Sequence, residues 1–88
     1  MTSPGVDWEL FFAERDAALR SLDRKTILDY FERWNGLEAR MIFAGQPEEV
    51  FLAGIHRARL SLDTITEEEK AVSRNWLTAH GFEPRGLE

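Results

Sequence analysis

Between Asp23 and Gly36 the chain carries Ile27, Tyr30, Phe31 and Trp34 at the three- and four-residue steps of an α-helix, with Lys25, Asp29, Glu32 and Arg33 opposite. This stripe constrains the fold more than any other feature because both of its ends are punctuated. Asp23 offers a carboxylate to the unpaired amides of a first turn, and Leu22 before it can pack on Ile27 as a hydrophobic staple. Asn35-Gly36 offers a stop, since glycine takes the left-handed backbone at C′ and lets Leu37 fold back towards Phe31 or Glu32. A helix with one apolar side must lay that side on a neighbour. The rest of the chain is therefore read for the partners it can supply.

On the N-terminal side, Asp7 is a capping residue, and Trp8, Phe11, Phe12, Ala18, Leu19 and Leu22 recur at helical spacing. Asp16 and Arg20 stand four apart on the flank as an ion pair. Leu22 serves this helix and the next, so the connection is tight and the two should lie antiparallel. On the C-terminal side, Pro47 suits a first turn and Glu48 and Glu49 complement its dipole. Phe51, Ile55, Ala58 and Leu62 form one stripe there, with Val50, Leu52, Ala53 and Leu60 around the rest. A helix apolar on nearly all sides is expected at the centre, and Gly54 is expected to permit a close crossing. Thr66-Glu67-Glu68-Glu69 is a capping box, followed by Val72, Trp76, Leu77 and Ala79, and by a stop at His80-Gly81 with Phe82 and Pro84 behind it.

The expected fold is thus all-α, a compact bundle of four helices at about 7–21, 23–35, 47–62 and 66–80, with the third central. Residues 1–6 read as a flexible leader, 7–82 as one domain and 83–88 as a flexible tail. Met41-Ile42-Phe43-Ala44 is apolar enough for a strand, but one strand would have no partner, so 37–46 reads as a loop or short helix.

With 88 residues a single small core must be well filled, and three Trp, six Phe and one Tyr provide the material. Cysteine is absent, which excludes disulfides and thiolate metal sites. Sixteen acidic against 11 basic residues give a net charge of −5, which repels phosphate backbones at long range. No apolar run reaches membrane-spanning length and no signal core opens the chain, so a cytoplasmic location is expected.

Few residues suggest chemistry. The two histidines, His56 and His80, stand on different helices and match no metal-binding spacing. His80 falls in a last turn, where a cation is favoured by the dipole. His56 and Arg59, three apart, share a face that could clasp a carboxylate or phosphate, against the simpler reading of a half-buried structural histidine and a rim arginine. Arg57 and Arg59 have Glu67–Glu69 or the first turn of helix three as candidate partners. Arg15 falls inside the apolar stripe of helix one. Either it meets a carboxylate or an aromatic face within the fold, or the aromatic helix around it is a partner-binding surface.

Leu22-Asp23, Tyr30-Phe31 and Trp34 are followed by Gly54-Ile55-His56-Arg57-Ala58-Arg59, Ser73-Arg74-Asn75-Trp76-Leu77 and His80-Gly81-Phe82. Taken together, this string resembles small uncharacterised helical proteins of bacterial and phage genomes over most of the chain. The resemblance implies a helical fold and a prokaryotic or phage origin, and it transfers no site. The expectation is a non-enzymatic protein–protein interaction or accessory module with a protein partner or a second copy. Trp8, Phe12, Arg15, Met41, Phe43, His56 and Arg59 are its candidate contact residues, with no catalytic, cofactor or metal residue. The alternative is a nucleic-acid-binding or regulatory protein using Arg33, Arg40, Arg57 and Arg59. A third reading, an enzyme centred on His56, requires an Asp or Glu beside that ring.

Overall fold

The computed structural model describes residues 7–86, so residues 1–6, read above as a leader, and 87–88 lie outside the described residues. The described chain folds into five α-helices: α1 (Trp8–Ser21), α2 (Arg24–Asn35), α3 (Leu37–Ala44), α4 (Glu48–Leu60) and α5 (Glu67–Ala79). The all-helical class is as expected, whereas the count of four is corrected by α3.

Most boundaries follow from side-chain chemistry. Asp7 accepts a hydrogen bond from the Leu10 amide at 3.1 Å, and Asp23 accepts from the Thr26 amide at 3.0 Å. The Thr26 hydroxyl and amide both donate to Asp23, which holds its carboxyl below the usual range. Between those caps the chain turns on Leu22, a non-glycine residue at φ +52°. Thr66 and Glu69 close both arms of the capping box, the Thr66 amide donating to Glu69 at 2.9 Å and the Glu69 amide to Thr66 at 3.1 Å. At the other end of α5, Gly81 stands at φ +81°. Its amide donates to Thr78 O and the Phe82 amide donates to Leu77 O at 2.8 Å, the paired bonds of a Schellman ending.

The junction at Gly36 differs from expectation. Its amide donates to Glu32 O and so ends α2, but its backbone, at φ +94° and ψ 167°, leads directly into a new helix. Leu37 opens α3 and stays exposed instead of folding back on Phe31. α3 has no side-chain cap at its start. It is held from the side: Phe43 stacks on Phe31 with centroids 4.5 Å apart, and Arg40 pairs with Asp29 and Glu32. Arg24 reaches across from the start of α2 to Ala44 O and Gln46 O.

Those contacts join the end of α3 to the start of α2, so the two helices run antiparallel. α1 and α2 are also antiparallel, because Phe11 and Glu14 near the start of α1 meet Trp34 and Arg33 near the end of α2. α1 and α3 therefore flank α2 and begin at the same end of it. On its other side α1 packs on α4, and α4 packs on α5. The helices lie in the spatial order α3, α2, α1, α4, α5, and the molecule measures 49 × 29 × 22 Å. This corrects the bundle with its third helix alone at the centre. α4 shares that position with α1, and the core joins Ala18 and Leu19 of α1, Ile27, Leu28 and Tyr30 of α2, and Phe51 and Ile55 of α4.

One further expectation changes. Asp16 pairs with its neighbour Arg15 at 3.0 Å, not with Arg20. Arg20 crosses to α5, where it meets Glu69 at 3.0 Å and donates to Thr64 O. Within the described part of 83–88, Glu83, Pro84 and Arg85 are exposed and Gly86 is half-buried, where a Cβ would lie 2.5 Å from Ser61 Oγ.

Candidate functional site

The candidate contact residues separate into three places. Trp8 and Phe12 open α1 and stand 59% and 43% exposed. Their rings touch Phe11 and each other, and Phe11 continues the contact inward to Tyr30 and Trp34. The inner rings fix the outer ones, so an exposed aromatic ridge rests on a packed base. Across α2, Met41 is 65% exposed, and Leu37 and Ile42 are exposed beside it. These side chains point outward because Ala39, Arg40 and Phe43 occupy the side of α3 that faces α2. The apolar character of 37–44 is therefore spent largely on solvent.

His56 and Arg59 are brought together, as their spacing implies, but they face inward at 2% and 3% exposure. His56 Nδ1 hydrogen-bonds the buried Ser73 hydroxyl at 2.9 Å, and the ring stacks on Trp76 with centroids 4.6 Å apart. Burial, followed by the nearby Arg59 and His80, pushes the His56 pKa down to about 4, so the ring is neutral near pH 7. Arg59 and His80, not a carboxylate, are the charged groups acting on it among the described residues. Arg59 donates to Glu69 O at 3.2 Å, while its Nε and Nη1 have no hydrogen-bond partner. Burial pushes its pKa down as well. This buried pair is closed to a ligand, which corrects the rim placement of Arg59. His80 stacks on the other face of the same system, 3.9 Å from Trp76, with Nδ1 2.8 Å from Trp76 O at the end of α5.

The four arginines of the nucleic-acid alternative do not form an open basic face. Arg33 pairs with Glu14, Arg40 with Asp29 and Glu32, and Arg59 is buried. Arg57, half-buried, also stands outside the ion pairs of the described residues.

Arg57 lines the third place, a groove of about 570 Å³ between α1, α2, the end of α3 and α4. Its walls are largely apolar: Leu19, Phe31, Phe43, Val50, Phe51 and Ile55 all contribute. Arg15 and Arg57 are its charged lining residues, and no carboxylate lines it. Arg15 is already neutralised by Asp16 and lies 4.8 Å from the Phe12 ring centroid. Arg15 thus meets both a carboxylate and an aromatic face within the fold, as the first of its two readings requires. Arg57 is different. Its guanidinium sits 5.9 Å from the Phe82 ring centroid, and its Nε is buried without a hydrogen-bond partner.

No family model, curated protein or solved structure matches the chain.

Sequence reasoning placed Arg15 and Phe43 among the contact residues but missed the groove they share. The available signal was Gly54. It was expected to admit a crossing helix, yet it is exposed and a Cβ there would meet nothing within 4 Å. The absent side chain instead leaves room along the groove, which Gly54 lines. Val50, apolar on an α4 side read as inward, is likewise exposed and lines the same space. Among the described residues no group of three potential metal ligands comes together, and no helix is long and apolar enough to cross a membrane.

Proposed function

We propose that this chain is a non-enzymatic protein–protein interaction module that associates with a second copy of itself. The observation that carries this reading is the exposure of Trp8 and Phe12 on a packed base of rings, Phe11 with Tyr30 and Trp34 behind it. Leu37, Met41 and Ile42 of α3, on the other flank of α2, add further exposed apolar side chains. Exposed Trp and Phe side chains held by a packed base supply large contact area with little ordering cost, which is the composition of interface hot spots. A cytoplasmic accessory protein that acts by contact fits the closed His56–Ser73 pair and the ion-paired arginines described above.

The test is sedimentation or light scattering over a wide range of concentrations, on the wild type and on Trp8→Ala and Phe12→Ala. The reading expects a mass that rises with concentration and a dissociation constant weakened at least about tenfold by either substitution, a loss of roughly 1.4 kcal/mol or more. A strict monomer at every concentration removes self-association. Self-association unaffected by both substitutions removes this surface.

A further inference from the structure

We propose that the groove along α4 is a binding site for a single-chain amphipathic carboxylate, with the apolar chain along its walls and the carboxylate on Arg57. The site is distinct from the Trp8–Phe12 surface, and the inference does not depend on self-association.

Three observations carry it. The volume of about 570 Å³ falls within the range of roughly 300–1,000 Å³ typical of small-molecule sites. The lining combines Leu19, Val50, Ile55 and aromatic walls from Phe31, Phe43 and Phe51, which favours an apolar body over a polar one. The charge is also of one sign. On a chain of net charge −5, a groove lined by two arginines and no carboxylate runs against the overall balance. Because Asp16 already holds Arg15, one unpaired cation remains, so the complementary ligand carries one negative charge.

Arg57 also explains why the anion is a carboxylate placed at the Phe82 side. Its Nε has lost water to burial and has gained no acceptor in the protein. A planar carboxylate can accept from the two terminal Nη groups of a guanidinium together. Phe82, delivered there by the Schellman turn at Gly81, backs the guanidinium and limits the directions from which an acceptor can approach. Along the rest of α4, Gly54 leaves the wall low where any side chain would project into the space.

The probes are dodecanoate and its neutral counterpart dodecanol, titrated below their aggregation limits into wild-type protein and into Gly54→Leu and Arg57→Gln, with heat and a competing fluorescent anion as readouts. Gly54→Leu adds volume where nothing lies within 4 Å of the new Cβ and replaces a glycine in a helix interior, so the fold is retained. Circular dichroism and thermal melting confirm that retention before binding is read. The expected result is saturable binding of one dodecanoate per chain, at least about tenfold tighter than dodecanol, as one charge-assisted interaction implies. Arg57→Gln brings dodecanoate down to the level of dodecanol, and Gly54→Leu weakens both by a similar factor. Equal affinity for the acid and the alcohol in the wild type overturns the role of Arg57. Undiminished binding in a folded Gly54→Leu overturns the groove as the place. Absence of saturable dodecanoate binding, with binding of an acidic amphipathic peptide in its stead, overturns the ligand class in favour of a partner helix.

Discussion

His56 is a basic group that the fold keeps uncharged, and that choice has a direction in pH. Unfolded, the ring has its ordinary value of 6.5; folded, burial pushes it down to about 4. Above pH 6.5 it is neutral in both states. Between 6.5 and about 4 the unfolded chain takes up a proton that the folded chain refuses, so stability falls as pH falls and levels off below about 4. The whole step is on the order of 3 kcal/mol at 1.36 kcal/mol per unit. Urea unfolding at a series of pH values should show the loss in the wild type, and His56→Gln should remove that part of the slope while keeping a polar partner for Ser73. Equal slopes in the two proteins would place the titration elsewhere. Arg59, one turn further along α4, is costly in another way, since it remains charged with Nε and Nη1 unpartnered. Replacing a buried charge by an apolar side chain of similar length often leaves stability unchanged or raises it by a few kcal/mol. Arg59→Met should accordingly shift the urea midpoint upward, by about 1 kcal/mol after the lost bond to Glu69 O is allowed for. A downward shift would mean that the charge holds α4 and α5 together.

At the scale of elements, Gly36 and Gly54 make opposite predictions from the same residue type. Gly36 combines φ +94° with ψ 167°, a backbone region open essentially to glycine alone, and a Cβ there would touch nothing. Gly36→Ala should therefore cost on the order of 1–3 kcal/mol through backbone strain alone. Gly54 is in regular helix with equally open space, so Gly54→Ala should stabilise by about 0.5–1 kcal/mol. Denaturant midpoints of the two variants should move in opposite directions. The same pair marks where the sequence was legible. Local chemistry with a side chain behind it could be read directly: Asp7, Asp23, the Thr66–Glu69 box and the Gly81 ending all depend on residues within one turn. α3 could be read only as a loop or short helix, because Gly36 serves two helices without a side-chain cap and what ties the helix down is contact with α2, through Arg40, Phe43 and the bond from Arg24 to Ala44 O. Its exposed Leu37, Met41 and Ile42 also break the rule that an apolar stripe marks the buried side. The groove was hidden for a related reason. Its lining comes from four elements and from Phe82, and no period in one segment encodes that convergence.

At the scale of the molecule, the order α3, α2, α1, α4, α5 makes the α1–α4 contact the joint between two helical groups. Its apolar part is a single cluster in which Ala18 and Leu19 of α1 join Ile27, Leu28 and Tyr30 of α2 to Phe51 and Ile55 of α4. Arg20 extends that joint. From the last turn of α1 it reaches Glu69 in the first turn of α5 and the Thr64 carbonyl in the connection before it. Glu69 is at the same time half of the capping box, and the Thr66 amide, more than Arg20, holds its carboxyl below the ordinary range. One carboxylate thus couples the start of α5 to the far helical pair. Exposed ion pairs by themselves contribute little. A guanidinium that also satisfies a loop carbonyl fixes where α5 begins relative to α1, and its removal should be felt as local opening more than as global instability. Arg20→Met should leave the melting temperature nearly unchanged and raise amide exchange several-fold in residues 64–70, with exchange in α2 unaltered. Hydrogen exchange read by mass spectrometry resolves these segments. Uniform acceleration across α2 and α5 would mean that the two groups open as one unit and that the joint needs no polar tie.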